Sequence, residues 1–170
     1  MNHHEFVVSI LKHHFMDQEF FGIEIGTAEA MLTKTLLMEF PNLHKIYTID
    51  PYIHNPNSEF EAARPQEWHN DRHEQAKQAL SIYGTRALIL PVKSDEAVSL
   101  TPDSVDFVWI DGDHLIAQIE KDIKNYYPKV IRGGIFGGHD YPQASIALAN
   151  VLPNVKVITG EDLCWYIIKE

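Results

Sequence analysis

With 170 residues, of which 45% are apolar and 22% charged, the chain is long enough for one globular domain with a sizeable core and too short for two. A formal charge of −10 argues against nucleic acid as a partner, since affinity for that backbone comes mainly from Lys and Arg displacing counterions. No stretch approaches the roughly 18 apolar residues of a membrane span, residues 1–5 lack the basic start and apolar run of a secretory signal, and the single Cys164 excludes an internal disulfide; the expectation is a cytoplasmic chain with no membrane partner.

Residues 5–17 carry Phe6, Ile10, Leu11, His14 and Phe15 at helical spacing, which predicts an amphipathic helix. It is suited either to packing on the core or to mediating a homodimer. The pairs His3-His4 and His13-His14 at this end read as solvated side chains. Residues 21–25 predict a strand that breaks at Gly26, and 27–40 a helix stopped by Pro41. A second strand at 45–49 ends at Asp50-Pro51. The polar stretch 52–70, with Pro56 and Pro65, reads as a long loop leading into a helix at about 67–83, with Gly84 as its carboxyl cap. Strands follow at 86–90, 105–110 and 134–138, with helices at about 115–126, ahead of Pro128, and 143–151. Two last strands, near 155–158 and 163–168, are close enough in sequence to predict an antiparallel pair.

Strands alternating with helices imply right-handed crossovers and a parallel sheet covered on both faces. The tightly connected last strand makes that sheet mixed at one side. The expected fold class is therefore α/β, in one domain spanning 1–170 with residues 1–19 as a helix packed on the core.

Two strings carry the chemistry. Phe107-Val108-Trp109-Ile110-Asp111-Gly112-Asp113-His114 and Gly133-Gly134-Ile135-Phe136-Gly137-Gly138-His139-Asp140-Tyr141 are apolar runs of strand length that end in acids and imidazoles. Ligands bind in the crevice outside the carboxyl ends of such strands. Up to three carboxylates and two imidazoles in one crevice would raise each other's cost unless a cation or proton compensates.

Upstream, Ile23-Glu24-Ile25-Gly26-Thr27-Ala28-Glu29-Ala30 sets an acid two residues before a glycine at a strand-to-helix turn, and Asp50 ends the next strand. An acid there can accept hydrogen bonds from both ribose hydroxyls of a nucleoside cofactor. A dinucleotide would need a second glycine where this chain has Ala28, so its pyrophosphate could approach the backbone. That argues against a nicotinamide-linked oxidoreductase. A cofactor without phosphates tolerates the methyl group. Its adenine is expected after the third strand, near Val92-Lys93-Ser94-Asp95, where Ser94 or Asp95 could reach the base.

These features, in this order, resemble class I S-adenosylmethionine methyltransferases, whose Rossmann-like layout is a seven-stranded, mostly parallel sheet with an antiparallel last strand and helices on both faces. The "IDGDH" and "GGHDY" strings are similar to small-molecule O-methyltransferases, among them sugar O-methyltransferases of antibiotic biosynthesis and, more distantly, catechol O-methyltransferase. The resemblance covers about residues 20–142. It implies S-adenosyl-L-methionine held by Glu24, Gly26, Thr27, Ala28, Asp50, Ser94, Asp95 and Asp111. It also implies a divalent cation at Asp111, His139 and Asp140, either Mg²⁺ or, given the imidazole, a transition metal. His114, ahead of Asp113, is the expected base for a small hydroxylated acceptor such as a sugar or natural-product intermediate. The final glycine of the family's first motif is replaced here by Ala30.

Other readings compete. Asp113 and His114 could cap the following helix, and His139-Asp140 could form only a turn. The fold could serve as a non-catalytic S-adenosylmethionine-binding protein. His69 and His73, at i, i+4, are expected on a solvated helix face; Trp68 and Tyr52 suit a lid over the acceptor. Cys164 suits a buried core thiol.

Overall fold

The computed structural model describes residues 2–56 and 61–170. Helix α1 (His3–Phe15) opens with a capping box: the Asn2 side chain accepts from the Glu5 N–H at 3.0 Å, and Glu5 accepts from the Asn2 N–H at 3.0 Å. Both orphan donors at the helix start are thereby satisfied. The order then runs β1 (Phe20–Ile25), α2 (Met31–Glu39), β2 (Leu43–Ile49), α3 (Gln66–Leu80), β3 (Ala87–Leu90), α4 (Ser94–Ala97), β4 (Val105–Ile110), α5 (Ile116–Tyr126), β5 (Val130–Gly138), α6 (Tyr141–Val151), β6 (Ile158–Thr159) and β7 (Trp165–Ile168). The part of the expected 52–70 loop over residues 57–60 lies outside the described residues.

All seven strands share one sheet, ordered β3-β2-β1-β4-β5-β7-β6. Every pairing is parallel except those of β7, which runs antiparallel to both β5 and β6. This is the mixed Rossmann-like sheet expected. Strand alternation divides the core in two. On one face Phe107 and Trp109 join Leu11, Phe15, Leu36 and Phe40. On the other, Val108 and Ile110 join Ile119, Ile123, Ala147 and Trp165. Helices α1, α2 and α3 therefore cover one face, and α5 and α6 the other. Among the described residues no helix is long and apolar enough to cross a membrane.

Several boundaries differ from expectation for identifiable reasons. Helix α2 begins at Met31 rather than 27, because Ala28 and Ala30 hold φ of 47° and 66° and cannot belong to a right-handed helix. Gly84, with φ 56° and ψ −127°, sits at a kink in a 3₁₀ stretch (Ser81–Arg86) rather than in a left-handed cap of α3. The short α4 was not foreseen, being below the length at which periodicity speaks. β7 starts at 165 because Asp162 and Leu163 both take left-handed φ, 53° and 57°.

Helix α1 is part of the core. Val7 and Leu11 are fully buried and Phe15 stacks on Phe20 at 5.0 Å; its apolar face is used within the chain. A Cβ added at Gly160, before β7, would lie 2.0 Å from the Phe6 ring, so that glycine gives α1 its seat beside the β6–β7 turn. Leu11→Ala should lower the free energy of unfolding by about 3 kcal/mol, the cost of a buried leucine's contacts plus the cavity left behind; urea denaturation measures it.

Candidate active site

The sheet order reverses direction between β1 and β4, and crevices for ligands lie at such switch points. Gly26 leaves β1 with φ 91°, and a Cβ there would meet the Asp111 carbonyl oxygen at 1.9 Å, so only glycine allows the two strand ends to approach. The Gly26 N–H donates to the Ile49 carbonyl (2.8 Å) and the Asp111 N–H to the Ile25 carbonyl (2.7 Å), binding the ends of β2, β1 and β4 to one another.

On this edge Asp50 faces the Gly26 turn. Its two carboxylate oxygens accept from the Ala28 and Tyr52 N–H groups, each at 2.9 Å. Burial pushes the Asp50 carboxyl up, opposed by those two bonds. Tyr52, itself at φ 50°, donates its hydroxyl to the Ala28 carbonyl at 2.8 Å and stacks on His73 at 4.4 Å. Arg72 pairs with Glu29 and lies 3.9 Å over the Trp68 ring. Tyr52 therefore packs on the turn after β1, and Trp68 lies under Arg72, which reaches Glu29 of that turn. His69 is buried with its Nε2 unpartnered, which corrects the solvated face expected at that position.

Glu24 lies beneath the turn, fully buried, and accepts the Thr33 hydroxyl's hydrogen bond. Burial pushes its carboxyl up to about 8, so the group is largely neutral at pH 7. Thr27 is buried and its hydroxyl has no partner. Ser94 and Asp95 open α4, but their side chains are committed elsewhere. The Ser94 hydroxyl lies 3.1 Å from the Gln118 amide and bonds Asp122, and Asp95 faces Lys121 at 3.5 Å and Asn125 at 3.3 Å. Both tie α4 to α5.

Beyond β4 and β5 the predicted acids and imidazoles do converge. His139 Nδ1 lies 3.7 Å from Asp111 Oδ1 and 3.3 Å from Asp140 Oδ1, and His114 Nδ1 lies 2.6 Å from Asp140 Oδ2. Asp140 reaches both imidazoles from a left-handed conformation, φ 55° and ψ 49°. Burial alone would raise its carboxyl, but the bonds with His114 and His139 outweigh that and hold it well below the usual range. The same bonds to Asp140 push both imidazoles up against the effect of burial. Burial raises Asp111, with His139 and His3 opposing.

Asp113 stands apart. Its Oδ1 accepts from the Leu115 N–H at 3.0 Å in a local turn, and Leu115, not Asp113 or His114, is the cap of α5. The cap reading is thus corrected for both residues. Cys164 is buried, its thiol pushed up to about 12 by burial.

Donor atoms of Asp111, His139 and Asp140 lie within 4.8 Å of one another, close enough for a single cation, and those of His3, His139 and Asp162 form a second such group. His139 Nε2 is buried without a partner. A mixed imidazole and carboxylate set fits a divalent ion. Sequence reasoning missed His3 and Asp162, whose role depends on how α1 docks. The pair His69 and His73 belongs to neither group.

The architecture and the paired strand ends are those of a Rossmann-like methyltransferase. Residues 23–141 match the methyltransferase domain family, and the chain belongs to it. No curated protein sequence matches the chain. Among solved structures it is similar to the O-methyltransferase NovP, at 17% identity and TM-score 0.69, with 96% of this chain and 79% of that one covered. The apo TDP-rhamnose 3'-O-methyltransferase CalS11 of calicheamicin biosynthesis gives 13% identity and TM-score 0.66, covering 96% and 77%. An rRNA methylase from Streptococcus thermophilus gives 12% identity and TM-score 0.62, covering 96% and 90%. At these identities the likeness is one of fold, and the fold does not choose the acceptor.

Two outcomes test the turn after β1. Ala28→Gly should raise stability by about 0.5–1 kcal/mol in urea denaturation, since relief of a left-handed alanine exceeds the added chain entropy. Glu24 is raised from its ordinary 4.5 to about 8, so the folded state holds the extra proton between those values. Its stabilising effect is complete below pH 4.5 and lost as pH rises through about 8. Denaturation across that window should show a shallower fall in Glu24→Gln than in the parent chain.

Proposed function

We propose that this chain transfers the methyl group of S-adenosylmethionine to a hydroxyl oxygen of a small acceptor, a sugar or a natural-product intermediate. The observation that carries the reading is the His114–Asp140–His139–Asp111 cluster, set one strand from the Gly26 turn and Asp50. S-adenosylmethionine supplies an electrophilic methyl on a sulfonium sulfur; transfer to oxygen breaks the carbon–sulfur bond, leaves S-adenosylhomocysteine and releases the hydroxyl proton.

Each residue then has a definable task. Asp50 accepts from the ribose hydroxyls with the lone pairs its two N–H bonds leave available. Thr27, buried and unpartnered, offers a hydroxyl to the same ligand. Gly26 and Ala28 form the turn against which the cofactor lies, and Glu24 supports it from below through Thr33. Ser94 and Asp95 close the far end of the crevice by fixing α4 on α5.

Asp140, accepting from His114 Nδ1, selects the tautomer whose basic nitrogen is Nε2, and that nitrogen takes the acceptor's proton. Asp113 shapes the turn that presents His114. Asp111, His139 and Asp140 Oδ1 would hold a divalent cation, which lowers the pKa of a bound hydroxyl and fixes its oxygen.

The net charge of −10 favours a small acceptor over a polynucleotide, although an rRNA methylase shares the fold. A cytoplasmic location fits the absence of a long apolar helix among the described residues.

Calorimetry should detect S-adenosylhomocysteine binding, and Asp50→Ala should weaken it about 100-fold or more, the loss of two charge-assisted hydrogen bonds. His114→Gln should leave that affinity within a factor of a few and lower kcat about 10²–10⁴-fold on a hydroxylated acceptor. Cofactor binding with no methyl transfer across a broad panel of sugars and phenols would sink the catalytic assignment and leave a binding protein.

A further inference from the structure

His139 shows its two ring nitrogens to different surroundings. Nδ1 meets the acids at the strand ends, 3.3 Å from Asp140 Oδ1 and 3.7 Å from Asp111 Oδ1. Nε2, on the other side of the ring, is buried and has no partner. An imidazole with one nitrogen held by a carboxylate and the other unused has the arrangement of a metal-ligating histidine and its orienting acid.

His3 and Asp162 supply what that nitrogen lacks. Donor atoms of His3, His139 and Asp162 lie within 4.8 Å of one another, in a group that contains neither Asp111 nor Asp140. The His3 main-chain N–H donates to Asp162 Oδ2 at 2.9 Å, which fixes the carboxylate, and His3 Nδ1 lies 3.5 Å from the same oxygen. Two donors each about 2.1 Å from one tetrahedral ion stand roughly 3.4 Å apart, and two imidazoles on that ion have ring centres roughly 5 Å apart. The His3 and His139 ring centres are 5.2 Å apart, so two ligand pairs already have the spacing an ion requires. His4, next along α1, is in neither donor group.

We infer that His3, His139 through Nε2, and Asp162 form a binding site for a transition-metal dication such as Zn²⁺. The ion clasps three parts of the chain remote in sequence: the first turn of α1, the exit of β5 and the turn between β6 and β7. Two imidazoles and one carboxylate suit Zn²⁺ or Co²⁺, whereas Mg²⁺ prefers oxygen donors alone. The Asp162 carboxylate is exposed, which admits water to the fourth position. This site is distinct from the Asp111, His139 and Asp140 set, which meets the same imidazole at Nδ1; with Nδ1–H donating to Asp140, Nε2 keeps its lone pair for the clasp. Because the three ligands come together only in the folded chain, the ion stabilises the seating of α1 by mass action.

The test uses the full chain, free of any affinity tag and stripped with a chelator. It is titrated with ZnCl₂ and MgCl₂ by calorimetry and unfolded by heat with and without ZnCl₂. Zn²⁺ should bind at least about tenfold more tightly than Mg²⁺, and it should raise Tm. His3→Ala and Asp162→Asn should each weaken Zn²⁺ binding about 10–100-fold and remove most of the rise in Tm. His4→Ala and Asp111→Asn should keep the Zn²⁺ affinity within a factor of a few. Parent-like affinity in both His3→Ala and Asp162→Asn overturns the proposal. Loss of Zn²⁺ binding in Asp111→Asn with parent-like binding in Asp162→Asn also overturns it, and places the ion on the Asp111, His139 and Asp140 set. No Zn²⁺ binding at all overturns it too, while S-adenosylhomocysteine binding, measured on the same sample, reports separately on the methyltransferase reading.

Discussion

Three main-chain hydrogen bonds at the carboxyl edge of the sheet set everything else: Gly26 N–H to Ile49, Asp111 N–H to Ile25, and His139 N–H to Ile110. Each carries the parallel ladder one residue past the end of a strand, so β2, β1, β4 and β5 release their chains at one level. The residue freed at each exit is then fixed in direction. Asp50, the Gly26 turn, Asp111 and His139-Asp140 all emerge along a single crevice for that reason. The core on both faces supplies the rigidity, with Trp109 and Trp165 fully buried beneath the edge.

The electrostatic consequence is a graded row of acids. Glu24 is buried deepest and holds its proton to about 8. Burial raises Asp50 as well, opposed by the two N–H groups that bond its oxygens. Asp140, with two imidazoles against it, is held strongly ionised. A buried carboxylate without such compensation would neutralise itself by taking a proton. The row therefore places a neutral acid under the turn after β1 and full negative charge at Asp140, between the two imidazoles.

Much of this was readable from sequence because the relevant signals are local. Apolar runs ending in Asp50, Asp111 and His139-Asp140 mark strands and their exits without knowledge of the tertiary fold, and the sheet follows from their alternation with helices. The late start of α2 was hidden, since nothing in an alanine announces the left-handed φ of Ala28 and Ala30. Those are the positions where the family's first motif carries small residues, and glycine most often at the last, which the backbone now explains. The commitment of Ser94 and Asp95 to α5 was hidden too, as it depends on where Gln118, Lys121 and Asn125 fall across a helix packing. His3 was furthest from view: a histidine near a terminus gives no sign that Phe6 over Gly160 will seat its helix beside Asp162.

The division of Asp140 between two neighbours sets how the site can work. Oδ2 takes the short contact with His114 and Oδ1 faces His139 and, through it, Asp111. In the proposed reading one carboxylate would serve both the base and the cation, and the two functions would be coupled. A cation drawing charge from Oδ1 would weaken the hold of Oδ2 on the His114 proton and lower the basicity of that imidazole, while acidifying a hydroxyl bound to it. Asp140 makes both contacts from a left-handed backbone, φ 55° and ψ 49°, at the exit of β5.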